Sequence, residues 1–319
     1  MARHDRAHPH ARNFGLRSRD MYRAGREALR EGMASHSSRA TMADRWQVFC
    51  TYAKTELHIS DMRRITTEHL QKYADHLLNR LADDEISPAT AQNRLSAVNR
   101  IMEISRGDRA VRLDPVRGAG LPQRSGIALT DHAMSAADHE KIVVSVPPRL
   151  AAQLGLQREL GLRFEESCKA SPLVLLAQAE TRGSVRIEDG TKGGRPREVP
   201  ITSEAQIAAL RQAAAIQGSH RSMIPADLSY SQYREQCYQQ QIRFHSERHH
   251  YAQQRYETLA GAACPVAAGV SHGAAHHAHL AAVLGVSVTE ARDIDRGARE
   301  QVAAELGHGR VEVTNPYLG

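Results

Sequence analysis

The apolar period between Arg39 and Arg106 restricts the chain more than any other feature. Met42, Trp46, Phe49, Ala53 and Leu57 recur at spacings of 4, 3, 4 and 4, which lines one face of a helix and cannot line one face of a strand. Thr66 stands where an N-cap opens a second helix with Leu70, Tyr73, Leu77 and Leu81 on its inner face. Ser87 followed by Pro88 is an N-cap and first-turn pair, and Leu95, Val98 and Met102 carry a third helix. Residues 36–106 are therefore expected to form a small helical domain. Its own core uses up those apolar stripes, so they say nothing about ligands.

A chain of 319 residues has room for two domains. Residues 129–319 are expected to form the second, with helices around one hairpin: Ser184–Ile187 and Glu198–Ile201 flank the glycine-rich turn Asp189–Gly194, with Lys192 at or near its tip. Ser287 and Glu290 form a capping-box pattern for a helix that stops before Gly307. Residues 107–128, broken by Gly and Pro, read as an Arg-rich linker. Residues 1–35 read as a basic arm, with eight arginines in the first thirty residues. Residues 260–285, rich in Ala, Gly and His with poor periodicity, read as an insert of uncertain order. The expected fold class is mainly α with a small β-hairpin, an α+β second domain, and two lobes able to clamp a duplex.

Charge narrows the partner. Lys and Arg number 42 against 36 Asp and Glu, a formal +6 with 18 neutral histidines, which favours a polyanion. No run of about 18 apolar residues and no apolar leader occurs, so the chain is expected to be soluble, intracellular and without a membrane partner. Cys50, Cys168, Cys237 and Cys264 are scattered with no CxxC pair, against a disulfide framework or zinc knuckle. Gly190-Thr-Lys-Gly-Gly-Arg-Pro lacks the order of a P-loop, and Ser246 stands where a zinc protease needs Glu after its first His. His272, His276, His277 and His279 read as a solvated loop rather than a metal site. Neither cofactor nor metal is expected.

What remains is a set of cationic and acid/base side chains along the second domain. Arg163 ends an apolar helix and precedes Glu165 and Glu166; Lys192 projects from the hairpin; His245 and Arg248 share a helix face at i,i+3; His308 precedes Tyr317 by nine residues. Each alone is weak, but their order is not easily dismissed. In LGLRFEE around Arg163, TKGGRPREVPI around Lys192, HSERHHYAQQRYE around His245 and Arg248, and ELGHGRVEVTNPYLG with His308 and Tyr317, the sequence resembles the tyrosine recombinase (phage integrase) family, especially integrases of mobile genetic elements. Residues 39–106 look like that family's core-binding domain and 129–319 like its catalytic domain.

The resemblance implies DNA strand exchange through a 3′-phosphotyrosyl intermediate with Tyr317 as nucleophile. Arg163 and Arg248 would clamp the phosphate, because a planar guanidinium grips it bidentately. His308 would add a hydrogen bond to the same phosphate, His245 would position or deprotonate the phenol, and Lys192 would protonate the leaving 5′ oxygen. Glu166 would orient this set. Phosphodiester is exchanged for phosphodiester, so no ATP is required. Arg94, Arg106, Arg109, Arg112, Arg117 and Arg124 are the expected phosphate contacts. The implied partners are double-stranded DNA, three further copies in a homotetramer, and an accessory bending or directionality factor, in a prokaryotic cytoplasm near the nucleoid. The chain runs only two residues past Tyr317, which puts docking through a tail after the tyrosine in doubt. The alternatives are a catalytically silent DNA-binding relative and a type IB topoisomerase-like enzyme.

Overall fold

The computed structural model describes residues 10–319; the first nine, including Arg3 and Arg6 of the expected arm, lie outside the described residues. Two units divide between Ser125 and Gly126. The first is helical: α1 (Met21–Gly32), α2 (His36–Thr55), α3 (Thr67–Ala82) and α4 (Pro88–Arg106). Its starts follow the side-chain chemistry of the caps. Thr66 Oγ1 accepts from the His69 amide and Ser87 Oγ from the Thr90 amide, satisfying first-turn donors that have no helical partner. Trp46, Phe49, Tyr73, Leu77, Leu95 and Met102 are fully buried together. The one polar atom of the indole is satisfied, Nε1 donating to Met21 O at 3.1 Å.

Two expectations fail in this unit. Among the described residues of the arm, α1 packs on α2 with Ala24, Ala28 and Leu29 buried. Small residues at Ala24, Gly25 and Ala28 let the helices approach so closely that a Cβ on Gly25 would fall 2.1 Å from Trp46 Nε1. A high arginine count masked this stripe. The linker also fails over most of its length: Val111, Ala119 and Leu121 are buried in the same core. Asn99 ties the segment down, donating from Nδ2 to Leu113 O at 2.7 Å and accepting from the Leu113 amide at 3.0 Å.

The second unit contains α5 (Ala136–Ser145), α6 (Pro148–Leu160), α7 (Phe164–Lys169), α8 (Pro172–Arg182), β1 (Ser184–Ile187), β2 (Arg197–Pro200), α9 (Glu204–Gln217) and α10 (Tyr230–Tyr238). It continues with α11 (His245–Ala260), α12 (Pro265–Ala268), α13 (Ala274–Leu284), α14 (Val288–Glu305) and α15 (Asn315–Leu318). The strands pair antiparallel, Val185 opposite Val199 and Ile187 opposite Arg197. Helices and a two-stranded sheet match the expected class. The 260–285 insert is largely helical: α13 buries Leu280 and Ala281, and His276 is 1% exposed. The solvated histidine loop is thus overturned for His276, which sits inside a polar cluster. Its buried face was hidden because alanines lie on several sides of α13 and a polar residue, His276, occupies the buried side.

Candidate active site

The site is assembled by helix ends. α6 stops at Gly161, which takes φ +60°; a Cβ there would lie 2.5 Å from Tyr251 Cδ1. The sharp stop lets Gly161 O face α11, where it accepts from Arg248 Nη1. Two residues later Arg163 caps α7. Glu166 folds back onto it, accepting the Arg163 amide on Oε2 and Nη1 on Oε1, both at 2.7 Å. Arg248 is completely buried. It donates from Nη2 to Leu306 O at 2.6 Å and from Nε to the Tyr317 phenol at 3.4 Å, and its Nη2 lies 3.4 Å from His308 Nε2. Arg163 Nη2 reaches the same Leu306 carbonyl at 3.3 Å. Three imidazoles surround the phenol ring, with centroids 5.3 Å (His245), 4.6 Å (His249) and 5.4 Å (His308) from that of Tyr317.

Electrostatics follow from this crowding. Burial first, then Arg248 and Arg163, push His245 down to about 4 and His308 to about 3, so both are neutral at pH 7. Burial, opposed in part by the phenol of Tyr317, lowers Arg248 to about 10, still cationic at neutral pH. With Arg248 donating toward Nε2 of His308, the ring proton belongs on Nδ1, and that buried atom has no hydrogen-bond partner among the described residues.

Of the residues singled out, Arg163, Glu166, His245, Arg248, His308 and Tyr317 come together. Lys192 does not contact them: it is exposed in the turn between β1 and β2, with no ion pair among the described residues. That turn is nonetheless seated on α7, since a Cβ on Gly190 would lie 2.8 Å from Glu165 O. Two functional candidates escaped the sequence reading. Arg197 is 6% exposed and grips Glu166 with both terminal nitrogens at 2.7 Å, while its Nε donates to Glu305 O at 2.8 Å. The signal was its place two residues before Val199, on the inward face of β2. His249, next to Arg248, was passed over as one more member of a His-rich helix. A cleft of about 440 Å³ opens beside His308, lined among others by Arg195, Arg197, Gln301 and Gly309.

The arginines expected to touch phosphate belong to the first unit. Arg106 pairs with Asp108 at 2.9 Å and Arg109 with Glu103 at 2.8 Å. Arg112 and Arg117 are exposed, and Arg124 reaches Asn93 Oδ1 at 3.4 Å. Arg94 is half-buried, its Nη1 unpartnered among the described residues. No helix among the described residues is long and apolar enough to cross a membrane.

Residues 123–254 match the family described as Integrase, a stretch that holds Arg163, Lys192, His245 and Arg248 and ends before His308 and Tyr317. No curated protein matches the chain. Among solved structures, it is similar to the Tn1549 transposon integrase in complex with transposon right end DNA, with 10% identity, a TM-score of 0.53, and 94% and 95% of the two chains covered. The same integrase with circular intermediate DNA gives 12%, 0.50, 95% and 96%. The XerH site-specific recombinase in a post-cleavage complex with its palindromic difH substrate gives 12%, 0.51, 93% and 79%. The chain thus carries an Integrase match over residues 123–254 and shares its fold with these DNA recombinases.

Proposed function

We propose that the protein is a site-specific DNA recombinase that integrates or excises a mobile element, cutting and rejoining strands through a phosphotyrosyl link to Tyr317. The observation that carries this reading is the contact between the Tyr317 phenol and the buried guanidinium of Arg248, with Arg163 held beside it by Leu306 O. Attack of the phenol on a phosphodiester puts charge on the nonbridging oxygens, and two fixed guanidinium groups in a water-poor site stabilise that charge strongly. The unpartnered Nδ1–H of His308 offers a further donor for one of those oxygens. A neutral His245 beside the phenol can accept its proton. Exposed Lys192 is the remaining proton source for the departing 5′ oxygen.

The partner in this reading is double-stranded DNA, two sites being held by a homotetramer in the cytoplasm, with Arg94, Arg106, Arg109, Arg112, Arg117 and Arg124 on the phosphate backbone and an accessory factor setting direction. Such binding should weaken steeply with salt. The test uses the full chain and nicked suicide duplexes tiled from the DNA flanking its own gene. A denaturant-resistant protein–DNA adduct is expected, absent in Tyr317→Phe. An adduct of equal yield in that variant overturns the nucleophile. Site-selective binding with no adduct in the wild type points to a silent DNA-binding protein, and relaxation of plasmids lacking any such site points to a topoisomerase-like enzyme.

A further inference from the structure

The short helix that carries Tyr317 is fixed at both ends by one buried side chain outside the site. Arg299, on α14, donates from Nη1 to Asn315 Oδ1 at 3.1 Å and from Nη2 to Gly319 O at 2.9 Å. These partners stand two residues before and two residues after Tyr317. The guanidinium is itself oriented: Nε donates to both oxygens of Asp295, one turn earlier on α14, at 3.0 Å each. Asp295 accepts from Tyr256 Oη on α11, whose oxygen also lies 3.0 Å from His276 Nε2 on α13, and His277 Nε2 is 3.5 Å from the other Asp295 oxygen. Arg299 and Asp295 are 4% and 6% exposed. Between the two ends, Gln253 Nε2 donates to Tyr317 O at 3.2 Å, and His272 Nδ1 lies 2.9 Å from Gly319 O.

A four-residue helix has no stability of its own. The direction of the phenol is therefore set by what grips the turn from outside, and Arg299 supplies two of those grips in one rigid plane. A lysine, with one nitrogen, cannot reproduce them. An ion pair serving only the stability of α14 would have no need to spend both terminal nitrogens on residues 315 and 319. We propose that Arg299, oriented by Asp295 and backed by the histidines of α13, is a positioning residue that sets the Tyr317 phenol against Arg248 without touching phenol or phosphate. The proposal rests on the reading of Tyr317 as nucleophile and gives the His-rich segment a role within that chemistry.

The test is the adduct assay on the same nicked duplexes, with duplex affinity measured in parallel, together with hydrogen exchange at residues 311–319 in the absence of DNA. Misplacement of a reacting group by about 1 Å costs up to about a hundredfold in rate, so Arg299→Ala and the milder Asn315→Ala are expected to slow adduct formation roughly ten- to a hundredfold. Duplex affinity should stay within about twofold, because neither variant alters the phosphate-gripping arginines. Asn315→Asp keeps an acceptor for Arg299 and should react within about threefold of wild type, a rescue that bulk stability alone does not predict. Exchange at residues 315–319 should quicken in both alanine variants. Wild-type rates in Asn315→Ala, or rate and affinity falling in proportion, overturn the proposal. If the wild type itself forms no adduct, the nucleophile reading fails, and unchanged exchange in Asn315→Ala then removes the lock as well.

Discussion

Replacing Glu166 with Gln tests the electrostatic logic of the site most directly. The carboxylate is fully buried and both its oxygens are occupied: Arg163 Nη1 and Arg197 Nη1 on Oε1, the Arg163 amide and Arg197 Nη2 on Oε2, all at 2.7 Å. Burial by itself pushes this carboxyl up, and the hydrogen bonds and charge of Arg197, with Arg163 behind them, overcome it and hold the group at about 2 instead of 4.5. At about 1.4 kcal/mol per pH unit, that preference for the ion adds about 3 kcal/mol to stability in neutral solution. Losing one partner of a buried ion pair costs roughly 3–5 kcal/mol by an independent route, so the two agree. A unit of this size loses about 2–4 °C of Tm per kcal/mol, giving a fall of about 6–12 °C in the melting of the second unit at pH 7. The pKa is lowered on folding, so this contribution is complete above pH 4.5 and disappears as the pH drops toward 2; the two melting curves should converge there. Circular dichroism melts of full-length wild type and Glu166→Gln from pH 7 down to pH 2.5 make the measurement. A loss under about 2 °C at pH 7, or a gap that stays constant with pH, refutes the reasoning.

Gly161→Ala should destabilise the second unit by roughly 2–4 kcal/mol, since the φ of +60° and the approach of Tyr251 both oppose a Cβ, and urea titration reads the loss. Trp46→Ala removes the largest fully buried side chain of the first unit and should cost that unit about 3–5 kcal/mol while leaving the melting of the second in place. His245 and His308 are held to about 4 and about 3, so below pH 6.5 the unfolded chain takes up protons that the folded chain refuses. Stability should therefore fall from pH 6.5 toward 4, and further toward 3 for His308; His308→Asn should flatten that slope in urea midpoints measured between pH 7 and 4.

The side chains that the structure brings together were legible wherever local spacing met chemistry. His245 and Arg248 share a helix face by their three-residue offset, and Glu166 returns to Arg163 because a capping box spans three residues. Arg197 was hidden by context: a charged residue in a hairpin normally faces solvent, and only pairing with Ile187 turns it inward. The helical caps at Thr66, Ser87 and Ser287 were readable because an N-cap is a one-residue signal. At Ser287 only half of the expected capping box is made, the hydroxyl accepting from the Glu290 amide. The arm and the linker were misjudged for a common reason. Arginine counts describe the solvent side of a segment, whereas Ala24, Ala28, Val111, Ala119 and Leu121 describe the buried side, and these few small or isolated apolar residues give little pattern until a partner surface is known.

Three guanidinium groups, Arg163, Arg197 and Arg248, converge on the single carboxylate of Glu166, while the flanking histidines are kept neutral. Glu305, the other nearby acid, has its carboxylate committed to Arg255 at 3.0 Å and to the Tyr251 hydroxyl at 2.8 Å. The local surplus of positive charge is thus unmatched by protein, at a depth where unmatched charge is costly. Backbone carbonyls at Gly161, Glu305 and Leu306 disperse part of that surplus by accepting from the same guanidinium groups. Carbonyl dipoles hold the cations in place without neutralising them, so their attraction for an anion survives folding. A carboxylate in the position of Leu306 O would have made the cluster more stable and left less field for a phosphate. Helix-end carbonyls rather than acids at those positions leave the cluster with a positive field, the property that the proposed phosphodiester binding requires.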